Sequence, residues 1–175
     1  MSKGNRIPRE KAEAIATQLI DKLTERGLRY IIGGSIRREK ETVGDIDIVV
    51  RCSSRARQDR FNDMLGGLFG YCSTKPERAK RFGEYQGIQI NFFDVLPSEI
   101  GSALLFCTGS GKFNIIMRCI AKRRGYLLNQ YGLWERENRE SRICDARKEA
   151  TIFEALKLDF IEPKKRTDYV LHWGS

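Results

Sequence analysis

The sequence predicts an α+β protein in which a mixed β-sheet with flanking helices precedes a mainly helical region. Up to about residue 97, short apolar runs typical of buried strands alternate with segments whose apolar residues recur every three or four positions. After residue 97, helical patterns dominate. We therefore expect two domains, residues 1–97 and residues 98–175.

The first predicted domain opens with an amphipathic helix. Ala12, Ile15, Leu19 and Leu23 are three or four residues apart, which indicates a helix over residues 8–26 with one buried side. The remaining predictions are strands at 28–32 and 45–51, a short helix from the Gly33–Ser35 turn through Glu41, a helix at about 56–69, and hairpin strands within 71–96 with turns at Gly83 and Gly87.

The second predicted domain is built mainly from helices. Residues 108–111, TGSG, separate its first two helices, because glycine and serine disfavour helix interiors. The predicted elements are helices at 99–107, 112–124 and 148–157, short strands within 126–134, and a basic tail at 163–166.

The chain has 175 residues and a net charge of +9, with 32 lysines and arginines against 23 aspartates and glutamates. This excess of positive charge favours a polyanionic partner such as nucleic acid. No apolar run is long enough for a transmembrane helix, and the start lacks the apolar core of a signal peptide. We therefore expect a soluble, intracellular protein with no membrane partner, although the sequence does not indicate a compartment.

The cysteines and the histidine argue against a zinc site. Five cysteines are scattered without a C-x-x-C pair, which is typical of reduced thiols in a protein core. His172 is the only histidine, so we expect no acid–base chemistry that depends on histidine.

Two aspartates interrupt the apolar run of the strand predicted at 45–51. Side chains two residues apart in a strand point to the same side, so Asp45 and Asp47 face one site while the alternating apolar residues enter the core. Two like charges this close need a cation between them or an arginine beside them. The pair alone leaves both options open: a metal site, or an exposed strand start neutralised by Arg37 or Arg38.

A third carboxylate, Asp94, ends the apolar strand INFFD and favours the metal site. In a small sheet it could lie beside Asp45 and Asp47, and three oxygen donors without His or paired Cys suit Mg²⁺ or Mn²⁺. Strict alternation places Asp94 on the side of Ile90 and Phe92. A bulge or a partly polar face is therefore needed to bring it to the site.

The residues before the aspartates add groups that bind phosphate. Gly34 and Ser35 are predicted at a helix N-terminus, where backbone N–H groups, a hydroxyl and the helix dipole favour an anion. Arg38, about one turn later, can add a charge-assisted hydrogen bond. Together with the aspartates, this spacing indicates metal-dependent phosphoryl or nucleotidyl transfer.

These residues resemble the signature of the nucleotidyltransferase superfamily, Gly-Ser followed by two spaced acidic residues. The likeness extends to the family X DNA polymerases, such as DNA polymerase beta, through the motifs G-S-x-R-R…G-D-x-D and T-G-S-x-x-F-N-x-x-M-R. The first motif stands here at 34–47 and the second at 108–118, and the segments RIPRE at 6–10 and EATIFEALKLDFIEPKKR at 149–166 are also similar. The resemblance covers roughly residues 6–168.

The resemblance implies a nucleotidyltransferase-type palm over residues 1–97 and a thumb over residues 98–175, as in the small virus-encoded members, with no room for a lyase domain. It assigns Asp45, Asp47 and Asp94 as catalytic ligands of two Mg²⁺ ions, for which Mn²⁺ could substitute. Cys107 stands where the family has an aromatic residue. The residues assigned to the incoming nucleotide are Gly34, Ser35, Arg38, Arg6, Phe106, Gly109, Asn114 and Arg118.

The implied activity is template-directed, gap-filling DNA synthesis in repair, by a monomer that binds primed or gapped duplex DNA and a dNTP. A viral source is compatible with the resemblance. Two alternatives stay open, a template-independent nucleotidyltransferase and a non-catalytic DNA-binding module. Without a lyase domain, DNA is expected to contact basic residues within and after the motif at 108–118, namely Lys112, Lys122, Arg123, Arg124, Lys164, Lys165 and Arg166.

Overall fold

The computed structural model describes residues 6–24, 28–69, 73–75 and 80–166. The chain forms two units, Met1–Pro97 and Ser98–Ser175, which we call the N-terminal and C-terminal units. Both helices and strands are present in each unit, and the predicted α+β class is confirmed. Cys72 and His172 lie outside the described residues.

The N-terminal unit is organised around a five-stranded mixed sheet. The elements are β1 (Ile7–Pro8), α1 (Arg9–Thr24), β2 (Arg29–Ile32), α2 (Gly34–Arg37), β3 (Thr42–Val43), β4 (Asp45–Arg51), α3 (Arg55–Phe69), β5 (Ser73–Lys75), β6 (Lys80–Tyr85) and β7 (Ile88–Val95). The strand order of the sheet is β2-β4-β7-β6-β5, in which β4 and β7 run parallel and the other neighbours run antiparallel. A separate two-stranded sheet joins β1 to β3.

Helix α1 buries the side that the sequence predicted. Ala12, Ile15, Leu19 and Leu23 all belong to the core of the N-terminal unit, because their spacing places them along one side of the helix. The helix begins one residue later than predicted, since Pro8 pairs with Thr42 in the small sheet. Burial of this apolar side holds α1 in the N-terminal unit.

Strand β4 follows the predicted alternation. Ile46, Ile48 and Val50 are completely buried, whereas Asp45 and Asp47 are half-buried on the other side. The pleat of a strand produces this separation, because successive side chains point in opposite directions. The apolar side therefore secures the strand while the carboxylates stay available at the opposite face.

Two predictions for the N-terminal unit were wrong. Helix α2 ends at Arg37 rather than at Glu41, and Glu39 adopts a left-handed conformation with φ 57°. Gly83 lies inside β6, paired with Ile90, and not in a turn. A Cβ at Gly83 would lie 3.0 Å from the ring of Phe69, so a larger residue there would require that side chain to shift by a few tenths of an ångström.

The C-terminal unit is mainly helical, as predicted. The elements are α4 (Ile100–Thr108), α5 (Gly111–Arg123), β8 (Tyr126–Asn129), β9 (Gly132–Glu135), α6 (Glu149–Ala155) and a 3₁₀ turn at Pro163–Arg166. Helices α4, α5 and α6 enclose a core that includes Phe113, Met117 and Phe153, and β8 and β9 form a hairpin.

The described cysteines differ in exposure. Cys52 and Cys107 are buried and Cys144 is half-buried, but Cys119 is exposed on α5. The prediction that all the cysteines are core thiols was therefore wrong for Cys119. Within the described part of the chain, no helix is both long enough and apolar enough to cross a bilayer.

Gly101 provides a test of the packing in the C-terminal unit. Its N–H donates to the carbonyl of Ala146 at 2.8 Å, and a Cβ there would lie 2.3 Å from the carbonyl carbon of Lys148. We expect Gly101→Ala to lower the free energy of unfolding of the full chain by about 2 kcal/mol, because the neighbouring backbone cannot move aside cheaply. Urea unfolding measures this change.

The matched control is Gly111→Ala, at the exposed start of α5. A Cβ there meets nothing within 4 Å, so the substitution should be neutral or slightly stabilising. Equal unfolding midpoints for the two variants would contradict the packing described for Gly101.

Candidate active site

The candidate site is built on the parallel pair of strands β4 and β7. Their register places Asp45 opposite Gln89 and Asp47 opposite Asn91. Directly paired residues of neighbouring strands point to the same face of a sheet, so all four side chains share one face. Asn91 is completely buried, which is unusual for an amide side chain and requires hydrogen-bond partners.

The Asn91 amide bridges the two aspartates. Its Nδ2 group donates to Asp45 Oδ2 at 2.7 Å and to Asp47 Oδ1 at 2.9 Å. Its Oδ1 accepts a hydrogen bond from Gln89 Nε2 at 2.6 Å. Because ionised carboxylates only accept hydrogen bonds, the NH₂ side of the amide must face them. Asn91 thus links the pair of carboxylates that the sequence placed on one face.

Asp94 does not join this group, and the predicted three-carboxylate site was wrong in this respect. It pairs with Val50, on the opposite face of the sheet from Asp47, and its residue is 5 % exposed. The register runs without a break from the Asp45 pair to the Arg51 pair, so no bulge turns Asp94 toward the aspartates. Among the described residues, no group of three or more His, Cys, Asp or Glu side chains could hold a metal ion.

Sequence reasoning missed Asn91 because it looked only for a third carboxylate. The sequence nevertheless contained a signal for Asn91. It is a polar residue in an apolar strand, and its position between Ile90 and Phe92 places its side chain on the opposite face of the strand from theirs. Strict alternation therefore already placed Asn91, and not Asp94, on the polar face.

The Gly-Ser turn lies directly against the second aspartate. The Gly33 N–H donates to the Asp47 carbonyl at 2.8 Å, which joins the turn to β4. Gly34 has φ +61°, and a Cβ there would lie 2.2 Å from Asp47 Oδ2. Only glycine combines this left-handed conformation with so close an approach. The backbone that opens α2 and the Asp47 carboxylate are therefore immediate neighbours.

The other residues assigned to phosphate lie near this turn and the loop before β4. Ser35 and Arg38 are half-buried in and just after α2. Arg6 donates through Nε to Thr42 Oγ1 at 2.9 Å and through Nη2 to the Thr42 carbonyl. With only four residues, α2 is too short to supply the helix dipole that the sequence analysis expected, so anion binding here would depend on individual N–H, hydroxyl and guanidinium groups.

A second group of predicted residues lines a small pocket in the C-terminal unit. The pocket is bounded by Phe106, Asn114 and Arg118 together with residues of α4 and β8. Asn114 Nδ2 donates to the Phe106 carbonyl at 2.6 Å, and Arg118 Nε donates to the Asn114 carbonyl at 3.2 Å. Gly109 ends α4 in a left-handed conformation, with φ 65° and a cis peptide bond to Ser110.

Helix α5 presents a basic surface that we call the α5 basic face. Its opposite side is buried through Phe113, Met117 and Ile120, which fixes the orientation of the helix. The exposed basic residues of this face and of the cap that follows are Lys112, Arg118, Lys122, Arg123 and Arg124. Residues 111–124 contain no acidic residue to neutralise them. Lys164 and Lys165 of the 3₁₀ turn are also exposed.

Arg166 is not available to DNA, and its assignment as a DNA-binding residue was wrong. It is completely buried, and its Nη1 forms an ion pair with Glu149 Oε1 at 2.6 Å. The guanidinium lies 5.4–5.5 Å from the ring centroids of Phe113, Phe153 and Phe160. Its Nε donates to the Ile161 carbonyl at 2.9 Å. Arg166 is thus a buried structural residue that connects Glu149, the Ile161 carbonyl and three aromatic rings of the C-terminal unit.

Comparisons with known proteins agree with this architecture. The family model described as DNA polymerase beta palm matches residues 6–75, and the model described as DNA polymerase beta thumb matches residues 103–167. The structure of the Leishmania infantum polymerase beta ternary gap complex is similar over 93 % of this chain and 71 % of that chain, with a TM-score of 0.77 and 21 % identity. At that identity the likeness establishes the fold.

Curated relatives show the same family. DNA polymerase lambda of Rattus norvegicus is 28 % identical over 93 % of this chain but only 33 % of its own length. Repair DNA polymerase X of African swine fever virus, strain Badajoz 1971 Vero-adapted, is 27 % identical over 76 % of this chain and 78 % of its own length. The chain therefore spans about a third of the lambda relative. It belongs to the family X, DNA polymerase beta-like DNA polymerases.

The buried Arg166 ion pair can be tested by stability. We expect Arg166→Met to lower the free energy of unfolding by about 3 kcal/mol, because Glu149 is left buried without its partner. Thermal and urea unfolding of the full chain measure the loss. Lys165→Met is the control, since Lys165 is exposed and its loss should change stability by no more than about 0.5 kcal/mol. Unchanged stability of the Arg166→Met variant would contradict this role.

Proposed function

We propose that this chain is a template-directed DNA polymerase that fills gaps in DNA during repair, adding dNTPs to a primer 3′-hydroxyl. The observation that carries the proposal is the close approach of the Gly34 backbone to Asp47, in a palm-type sheet of the DNA polymerase beta family. This arrangement sets a phosphate-binding turn beside a carboxylate pair. Nucleotidyl transfer from a triphosphate requires both.

The donor set fits a divalent cation, though with fewer carboxylates than the sequence analysis expected. Asp45 and Asp47 share one face and could together hold Mg²⁺, or Mn²⁺ in its place, with the nucleotide phosphates as further ligands. When bound, the metal supplies Lewis-acid stabilisation of the charge that develops on the transferring phosphate. Asp94 faces away and is not proposed as a ligand.

The residues around the Gly-Ser turn would bind the triphosphate. The backbone at Gly34, the Ser35 hydroxyl and the Arg38 guanidinium supply hydrogen bonds of the kind that phosphate accepts. Arg6, fixed against Thr42, would add a positive charge beside the loop that leads into β4. In the reaction, a bond forms between the primer O3′ and the α-phosphorus while the bridging bond to the β-phosphate breaks. Pyrophosphate leaves with that electron pair, and the hydroxyl proton passes to water.

The C-terminal unit would contact the sugar, the base pair and the DNA. Phe106 and Gly109 are proposed beside the sugar of the nucleotide, and Asn114 and Arg118 at the minor-groove edge of the nascent pair, as the family motif implies. The α5 basic face and the exposed Lys164 and Lys165 would contact backbone phosphates. The gap complex of the Leishmania infantum polymerase beta supports a primed or gapped duplex as the substrate.

One observation favours the second candidate, a non-catalytic DNA-binding module. The position beside Asp45 and Asp47 on β7 carries the neutral Asn91 amide rather than a carboxylate. A protein of this kind would bind DNA with the α5 basic face but would not incorporate nucleotides. Primer extension therefore separates the two candidates directly.

The first test is incorporation of single dNTPs into a duplex with a one-nucleotide gap, in the presence of Mg²⁺. We expect the templated base to be added, and we expect Asp45→Asn and Asp47→Asn to lower the rate at least about a hundredfold, because each removes a negative ligand. Asp59→Asn, on the exposed surface of α3, is the control that should keep the wild-type rate.

Each other outcome has a distinct meaning. Incorporation that ignores the template would favour a template-independent transferase. Absence of incorporation by wild type and by every variant, with DNA binding retained, would favour the non-catalytic module and contradict the proposed activity.

DNA binding through the α5 basic face predicts a specific salt dependence. Each phosphate contact releases counterions, so loss of one contact should reduce the slope of log K against log salt by about 0.9. We expect this change for Lys122→Ala and no change in slope for Lys11→Ala, an exposed lysine of α1 with the same loss of charge. Fluorescence anisotropy over a range of salt concentrations measures both slopes. Equal slopes for Lys122→Ala and Lys11→Ala would contradict the proposal that the α5 basic face contacts DNA.

A further inference from the structure

The four polar side chains on β4 and β7, those of Asp45, Asp47, Gln89 and Asn91, form a hydrogen-bonded set. Both hydrogens of the Asn91 amide are used, one by each aspartate, and its oxygen accepts a hydrogen bond from Gln89. Asn91 is completely buried, so the amide side of these bonds is shielded from water. Each carboxylate thereby receives one hydrogen bond from inside the protein.

An amide NH₂ and a divalent cation compete for the same oxygen atoms. A cation needs electron pairs directed at it, whereas the NH₂ group presents partial positive charge and directs its hydrogens at Asp45 Oδ2 and Asp47 Oδ1. A metal ion that binds these two oxygens must therefore displace the amide. Displacement breaks two hydrogen bonds to charged oxygens, which are stronger than bonds between neutral groups.

Asn91 is neutral, so it attracts a cation less strongly than a carboxylate would. Binding of the metal by Asn91 itself therefore does not offset the loss of the two hydrogen bonds. Its oxygen is held by Gln89 on the same strand, so the amide must rotate before that oxygen can become a ligand. A carboxylate at the same place would repel the two aspartates, and a bound cation would relieve this repulsion. The chemistry at position 91 therefore decides whether the metal-free or the metal-bound pair is favoured.

We propose that Asn91 is a positioning residue that latches Asp45 and Asp47 together in place of a cation, and so lowers the affinity of this site for Mg²⁺ and slows nucleotidyl transfer. The effect on metal affinity follows from the hydrogen bonds alone. The effect on turnover rests on the proposed polymerase function.

The substitution that tests the latch is Asn91→Asp, which keeps the shape of the side chain and exchanges the donor for a carboxylate. Gln86→Glu is the matched control, because it adds the same charge in the exposed turn between β6 and β7. Asn91→Ala is the second variant, since it removes the latch without adding charge. Circular dichroism establishes that each variant is folded before it is compared with the wild type.

Two readouts do not require catalysis. Mn²⁺ binding by calorimetry should become at least about tenfold tighter in N91D, and tighter to a smaller degree in Asn91→Ala. The Tm of N91D should fall below the wild-type value in EDTA and rise by about 3 °C or more in millimolar Mg²⁺, because the ion binds the folded state. The wild type and Gln86→Glu should respond little to Mg²⁺.

The catalytic readout is the rate of dNTP incorporation into the one-nucleotide gap. We expect N91D to be at least about tenfold faster than the wild type, because the added carboxylate would help Asp45 and Asp47 to hold the metal. Gln86→Glu should keep the wild-type rate. Mn²⁺ affinity and Tm response in N91D and Asn91→Ala that match the wild type would overturn the latch.

The outcomes separate the latch from the proposed function. Tighter Mn²⁺ binding by the Asn91 variants, with no incorporation by any variant, would support the proposed effect of Asn91 on metal affinity. The same result would contradict the polymerase activity. Templated incorporation by the wild type, with no change in metal binding or rate on substitution of Asn91, would uphold the polymerase activity and overturn the latch.

Discussion

The parallel register between β4 and β7 is the constraint on which the candidate site depends. It sets Asp47 beside Asn91, and the same register buries Ile48 against the core from the other face. A slip of one residue would send every side chain of the strand to the opposite face, so the apolar core protects the geometry of the polar side. The hydrogen bond from the Gly33 N–H to the Asp47 carbonyl then fixes the position of the Gly-Ser turn relative to β4.

The motif at 108–118, T-G-S-x-x-F-N-x-x-M-R, contributes to the stability of the C-terminal unit as well as to the proposed recognition of nucleotide and DNA. Ser110 caps α5 by accepting a hydrogen bond from the Phe113 N–H, and its hydroxyl donates to the Arg166 carbonyl. Phe113 and Met117 enter the core, while Asn114 satisfies the Phe106 carbonyl near the end of α4. Substitutions in this motif therefore change the stability of the C-terminal unit as well as any contact with nucleotide or DNA.

Family membership establishes the architecture, but the chemistry of a site depends on single functional groups. An amide and a carboxylate have nearly the same shape, so Asn91 preserves the packing around Asp45 and Asp47 while it reverses the polarity presented to a cation. A similar contrast exists between the exposed Lys165 and the buried Arg166, whose charge is compensated by Glu149. In both places the surroundings, rather than the residue type alone, decide what the group can do.

The sequence by itself determined the order of the elements, the common face of Asp45 and Asp47, and the basic character of α5, because periodicity and local composition depend only on neighbouring residues. Only the tertiary structure decided that Asn91 rather than Asp94 meets the aspartates, and that Arg166 is enclosed by aromatic rings. Those outcomes depend on strand pairing and helix packing between residues far apart in the chain. A local pattern shows which side of a strand is polar, but the pairing register decides which polar residues meet.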